Sequence, residues 1–349
     1  MPRIRTRREP RAALGLAVLL PPALLASPAG ADETPEIVVR APWGAGDGEL
    51  GRSGGDESAP VGPMSFAVGP AGEVLVLDQV NRRVARFDAR GRWLGAVPVG
   101  LDTFQDLALA PGGQLVLLDR LAAQVVRVLD PDGARLAETQ LLGAGIEEGG
   151  GTTALFARDD GVWVEYDHQR SVRVLDARFR EPFFRAERTG RPLPDGRQGH
   201  ARLAGRSAVE VWTVDPGREA VAARAELRYG GTVRRIAALA GDAQGRVVVA
   251  VHLWEEDPET FAARDERLEL RVLDAALVER RRFETSPSVG AWEQFKEFEV
   301  TPEGTIWQLA FVEAGVEVRR WRQPPPASPV SNSADGSPIG GRQRVPRQM

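Results

Sequence analysis

The sequence predicts an all-β fold, a six-bladed β-propeller whose N-terminal strand closes the last blade. Three observations predict it. A unit of apolar strand, glycine turn and second apolar strand recurs along the chain. Its spacing stays near 42 residues or twice that, with one longer step. One strand-like segment, Glu36-Ile-Val-Val-Arg40, stands ahead of the first unit without a partner of its own. Four short strands in a unit of roughly 40–50 residues make one propeller blade.

Composition narrows the function classes. The 349 residues carry 45 basic and 49 acidic side chains, three His and no Cys, and the only Lys is Lys296. Without Cys there is no disulfide scaffold, Cys-ligated zinc, iron–sulfur cluster, thiol catalysis or lipobox anchor. A net charge of −4 offers no clustered basic surface, so no nucleic-acid partner is expected.

Residues 1–31 read as a signal peptide. Arg3, Arg5, Arg7, Arg8 and Arg11 precede the apolar stretch Ala12 to Ala26, and Ala29-Gly30-Ala31 supplies small residues for cleavage. Pro21-Pro22 interrupts a stretch already too short to cross about 30 Å of hydrocarbon. Glu9-Pro10 beside Arg7-Arg8 disfavours twin-arginine export. The expected location is therefore periplasmic or secreted, with no integral membrane segment after cleavage. Cleavage removes five Arg and Glu9, turning −4 into −8, a balance that favours solubility and disfavours anionic membranes.

The propeller is expected over 36–323. Its first unit runs from Pro63 through Gly72 and Val74–Asp78 to Asp88 and Gly91; the second runs from Gln105 through Gly113 to Asp119, Asp130 and Gly133. The third centres on Gly161 and ends at Asp176; further copies centre on Gly245 and Gly304. The glycine intervals are 41, 48, 84 and 59. The interval of 84 demands a degenerate blade, with strands at Gly205–Val214 and Ala220–Tyr229. The interval of 59 demands a long loop at Leu253–Leu268. Residues 43–60 are too short and Gly-rich for a seventh blade. Residues 324–349, rich in Pro, Ser and Gly, read as a disordered tail.

The glycine-rich Gly46-Asp-Gly-Glu-Leu50, the run Gly72-Glu-Val-Leu-Val-Leu-Asp78, and Asn81-Arg-Arg-Val84 resemble the NHL-repeat propellers over roughly 43–320. The resemblance implies that Asp78, Asn81 and Arg83 brace the turn after the second strand, with Asp119 and Asp167 as counterparts. Val251 and Ala310 replace the Asp in later blades, and blade two has Gln124 in place of the basic residue.

Candidate chemistry is sparse. His168 and His252 follow the same register position in different blades, near one ring mouth, while His200 falls in a polar loop. A metal needs three or four convergent ligands, and no such set stands out. Peptide-amidating lyases need several channel His with a Tyr and an Arg; only Tyr166 and Tyr229 are present. His168, His252 and Glu255 imitate the His–Glu–His group of streptogramin lyases poorly, and only Asn81 lies inside the repeats for a lactonase calcium site. G-x-S-x-G is absent. Trp254-Glu-Glu-Asp-Pro-Glu-Thr-Phe261 is an acidic, aromatic insertion, and loops of this kind carry recognition.

The expectation is a monomeric, exported binding or scaffold protein without catalysis, metal or cofactor. It would recognise an envelope or extracellular protein, peptide or glycan through Trp254, Glu255, Glu256, Phe261, His168 and His252. The competing expectation is a metal-dependent lyase or lactonase working in the central channel.

Overall fold

The computed structural model describes residues 34–54, 60–218, 220–257, 259–260, 263–289 and 293–322. The signal-peptide and tail readings, and Phe261, lie outside these residues. Among the described residues the strands form six four-stranded antiparallel sheets. The chain is a six-bladed β-propeller.

β1 (Glu36–Pro42) belongs to the last blade. Blade 1 holds β2 (Ser65–Val68), β3 (Val74–Asp78), β4 (Arg83–Phe87) and β5 (Trp93–Pro98). Blade 2 holds β6 (Asp106–Leu109), β7 (Leu115–Asp119), β8 (Val125–Leu129) and β9 (Arg135–Gln140). Blade 3 holds β10 (Thr152–Arg158), β11 (Gly161–Tyr166), β12 (Arg170–Asp176) and β13 (Glu187–Thr189). Blade 4 holds β14 (Arg191–Pro192), β15 (Gln198–Leu203), β16 (Ala208–Asp215) and β17 (Ala220–Arg228). Blade 5 holds β18 (Thr232–Gly241), β19 (Val247–Glu256), β20 (Ala263–Leu273) and β21 (Glu279–Thr285). Blade 6 holds β22 (Phe298–Val300), β23 (Ile306–Val312) and β24 (Gly315–Trp321).

β1 pairs antiparallel with β24, from Glu36 opposite Arg320 to Pro42 opposite Gly315. Arg320 adds a 2.6 Å ion pair to Glu36. The closure satisfies a strand edge that would otherwise stand open.

One turn design explains why glycine marks the blades. In blade 1 the Gly72 N–H bonds the Gly69 carbonyl and the Gly69 N–H bonds the Glu73 carbonyl, both at 2.8 Å. Gly72 takes φ +81, a conformation that favours glycine. The second recurring turn starts from Asp. Asp88, Asp130, Asp176 and Asp274 each accept two backbone N–H bonds, two and four residues on.

The degenerate blade is where the sequence reading needs correction. Its hairpin glycine is Gly196, which bonds the Leu193 carbonyl at 3.0 Å with φ +89. The strands expected at 205–214 and 220–229 correspond to its third and fourth strands. The first two come from 191–203, where Pro192 and Pro194 interrupt the apolar run that flags the other blades. His200 lies in β15, stacked on Trp212 at 4.8 Å, and not in a polar loop. The long loop expected at Leu253–Leu268 is largely strand: β19 and β20 continue past Leu253 and Leu268 as an extended hairpin.

Apolar side chains pack between blades. Clusters fill the boundaries of blades 1 and 2 around Leu77 and Leu117, and of blades 2 and 3 around Val116 and Val164. Others fill blades 4 and 5 around Val211 and Val249, blades 5 and 6 around Leu270 and Ile306, and blades 6 and 1 around Phe66 and Leu309. No cluster of this kind spans blades 3 and 4 among the described residues.

Candidate functional site

Strands alternate direction within a blade, so the turns between second and third strands and the links between blades emerge on one face of the ring. On that face, at the boundary of blades 4 and 5, lies an open pocket of about 580 Å³. Arg206 and Ser207 come from the β15–β16 turn, Tyr229 to Gly231 from the link between the blades, and Trp254 to Glu256 from the end of β19. The Tyr229 N–H bonds the Ser207 carbonyl at 2.8 Å and the Val233 N–H bonds the Arg206 carbonyl at 2.7 Å, fixing turn to link.

The pocket mixes aromatic planes with both charges. Arg234 lies over the Trp254 ring at 5.4 Å, and Arg206 approaches Glu256 at 3.7 Å. Tyr229 is 7% exposed, its hydroxyl has no hydrogen-bond partner, and the Arg271 guanidinium sits 4.0 Å from its ring. Burial pushes its phenol above the usual tyrosine range. A Cβ added at Gly231 would meet its nearest neighbours at 3.6 Å, and one at Gly230 at 4.0 Å. Neither glycine is required by the packing, and together they leave that part of the wall bare. A smaller pocket of about 360 Å³ occupies the same face at the boundary of blades 6 and 1, lined by Trp43, Arg52 and Asn81 among others.

The ring axis is occupied by the protein's own charges, which join one blade to the next. Asp106 on β6 accepts the Ser65 hydroxyl of blade 1 at 2.6 Å and the Leu155 N–H of blade 3 at 2.9 Å. Lys296, in the link before β22, places its ammonium 3.1 Å from Asp106 and donates to the Leu107 carbonyl at 2.6 Å. Burial opposes the Lys296 charge, but Asp106 and Glu299 hold its proton more tightly than in water. Arg191 on β14 grips Glu165 of blade 3 at 2.6 and 2.9 Å and the Leu239 carbonyl of blade 5 at 2.7 Å. Burial works against the Glu165 charge, yet Arg191 and His168 hold its carboxyl well below the usual range. Arg235 of blade 5 reaches Glu297 at 2.9 Å. Burial raises Glu297 and Glu299, with Arg235 and Lys296 only partly offsetting it.

Of the residues singled out from sequence, Trp254, Glu255 and Glu256 line the larger pocket. The two histidines meet different surroundings. His168 is exposed on the β11–β12 turn, 3.3 Å from Glu165, while His252 is 7% exposed within β19, 3.6 Å from Glu266. Burial, aided by Arg235, lowers the His252 value. No group of three His, Cys, Asp or Glu side chains capable of holding a metal comes together among the described residues.

Asp78 is fully buried; it accepts Arg83 and Asn81 at 2.8 Å and the Gly51 N–H at 2.9 Å. Arg83 continues to the carbonyls of Ala45, Gly46 and Glu49, so these contacts join blade 1 to the segment after β1. Asp119 takes Thr103 and the N–H groups of Leu121, Ala122 and Ala123. Asp167 departs from the expected counterpart position. The β10–β11 turn is tighter, Arg158 facing Gly161 directly, so Tyr166 opposite Arg170 holds the ladder position of Asp78 opposite Arg83. Asp167 falls into an exposed left-handed turn instead. The guanidinium of Arg170 stacks 4.8 Å from the Tyr166 ring, and in blade 4 the pair is inverted as Arg202 opposite Glu210.

Sequence reasoning missed the axial charges and the Tyr229 and Arg206 walls of the pocket. Lys296, alone of its kind, was the one available signal.

No protein-family model matches the chain, and no curated protein does. Among solved structures it is similar to a streptogramin B lyase at 10% identity, over 74% of this chain and 92% of that one, with a TM-score of 0.41. It is similar to virginiamycin B lyase from Staphylococcus aureus at 12% identity, over 74% and 94%, TM-score 0.39. A member of the DUF4221 family from Bacteroides vulgatus is similar at 11% identity, over 83% and 98%, TM-score 0.45.

Proposed function

We propose that the chain is an exported binding protein of the NHL-like propeller type, which engages a protein, peptide or glycan partner on the ring face between blades 4 and 5. The observation that carries this reading is the pocket that gathers Trp254, Glu255 and Glu256 with Arg206 and Tyr229. It offers an aromatic plane, carboxylate acceptors and a guanidinium donor, the mixture with which recognition sites fix orientation. The axis supports the same reading, since Asp106, Lys296, Arg191 and Glu165 already hold one another and join neighbouring blades. The basic and apolar start of the sequence supports export.

The test is a screen of glycan and peptide arrays with the wild-type protein and Gly231→Leu. At Gly231 an added Cβ meets its neighbours at ordinary contact distance, and an unchanged melting temperature of the variant shows that the leucine leaves the ring intact. Hits that vanish in Gly231→Leu and in Trp254→Ala support the reading. Hits that both variants retain place recognition elsewhere.

A further inference from the structure

On the rim of blade 3 the link between β12 and β13 runs over 177–186, where blade 1 needs only 88–92. The added length presents Phe183 and Phe184, 92% and 80% exposed, with their rings edge to face at 4.6 Å. Large apolar side chains left this bare are the informative exception on a folded surface.

The link is held at both ends. Asp176 accepts the N–H groups of Arg178 and Arg180 at 2.8 and 2.9 Å. Phe179 turns inward against the core of blades 2 and 3. At the other end Arg185, its side chain 6% exposed, donates to the Leu141 and Gln140 carbonyls of blade 2 at 2.7 Å. Between these anchors Pro182 precedes the two rings. The tip is thus preset, and a partner need not order it.

Its charge differs from that of the chain. Residues 176–189 hold four Arg (178, 180, 185, 188) against Asp176, Glu181 and Glu187, a local +1 in a protein of net −4, and Arg178 and Arg180 are exposed. At physiological ionic strength charges are screened beyond about 8 Å, so the local patch governs what touches the tip.

We propose that the blade 3 rim is a membrane contact, in which Phe183 and Phe184 enter the acyl boundary of an anionic bilayer while Arg178 and Arg180 meet lipid phosphates. A convex aromatic tip with guanidiniums at its base suits a layer that deforms around it, with the rings in hydrocarbon and the cations at headgroup level. This contact is independent of the pocket between blades 4 and 5.

Cosedimentation of the full chain with vesicles of phosphatidylcholine plus phosphatidylglycerol tests it, with Phe183→Ser/Phe184→Ser and Arg178→Gln/Arg180→Gln alongside. The N-terminal apolar stretch is common to all three proteins, so only differences count. The Phe variant should keep its melting temperature, because the rings bury nothing, and lose more than about tenfold in partition. The Arg variant should lose about fivefold per charge, and only on vesicles containing phosphatidylglycerol. Trp placed by Phe184→Trp should shift its emission to the blue on these vesicles. Equal partition of wild type and the Phe variant overturns the proposal. So does a wild-type dimer in sedimentation velocity that the Phe variant converts to monomer, since a second copy would then cover the tip.

Discussion

Two blade boundaries of one ring are built from different materials. Between blades 1 and 2, Leu75, Leu77, Leu115 and Leu117 interdigitate with Phe104 in a dry layer. Between blades 3 and 4, Arg191 grips Glu165 and the Ser171 hydroxyl donates to the carbonyl of Gly190 in the link at 2.7 Å. The first boundary depends on apolar area, which is indifferent to protonation. The second depends on a buried ion pair, whose value rests on both partners being present and charged. A closed ring accommodates both, because the β1–β24 pairing holds the circle whichever boundary is weaker.

The largest effect that separates them is loss of one ionic partner. Arg191→Met takes the guanidinium from the buried Glu165 carboxylate, leaving it the Thr153 hydroxyl at 2.8 Å and His168 at 3.3 Å, and should cost about 3–5 kcal/mol, readable in urea unfolding. Adding Glu165→Leu should restore most of that, because an apolar pair of similar volume replaces the ion pair. Leu117→Ala should cost about 2–5 kcal/mol with no comparable rescue from one neighbouring substitution. If the double variant unfolds as easily as Arg191→Met, the polar boundary is doing something other than pairing charge.

Acid sharpens the contrast. The folded Glu165 value lies below its ordinary 4.5. Its contribution is therefore complete above that value and disappears as pH falls through the lower folded one. Glu299 has the opposite sign: burial raises it above 4.5, so its contribution is complete below 4.5 and is lost as pH rises through the folded value. Glu299→Gln should accordingly melt higher than wild type at pH 7 and alike below about pH 4. Glu165→Gln should melt lower at pH 7, with the gap closing in acid.

A smaller difference separates the ladder pairs of blades 1 and 4. Asp78→Asn replaces one acceptor oxygen, which serves either Arg83 and Asn81 or the Gly51 N–H, by an NH2 donor and should cost about 1–3 kcal/mol. Arg202→Ala breaks a pair whose arginine side chain is 67% exposed and should change stability by less than about 1 kcal/mol. Equal losses would mean that the inverted pair braces its turn as tightly as the buried one.

What was legible in the sequence follows the same division. Glycine turns and Asp turns are local, so Gly72, Gly113, Gly245 and Gly304 announced their blades, and the lengthened interval after Gly245 pointed to Trp254, Glu255 and Glu256. Blade 4 was half hidden because Pro192 and Pro194 break its first strand, leaving Gly196 without the usual apolar flanks. Of the axial charges, only the lone Lys296 stood out in the sequence. Asp106, Glu165 and Arg191 each stand in a different blade, and only the packing of neighbouring blades brings Arg191 to Glu165 and the Leu155 N–H to Asp106. Tyr229 and Arg206 join the pocket for the same reason. The Phe183–Phe184 rim escaped notice because its added length fell inside the interval assigned to the degenerate blade.

The claim that partners sit between blades 4 and 5 is tested most directly by amide hydrogen exchange of the protein with and without an array-selected ligand. Slowed exchange at Arg206–Ser207, Tyr229–Thr232 and Trp254–Glu256 is the predicted footprint. Slowing confined to the hairpins around Gly72, Gly113 and Gly304, on the opposite face of the ring, would contradict it.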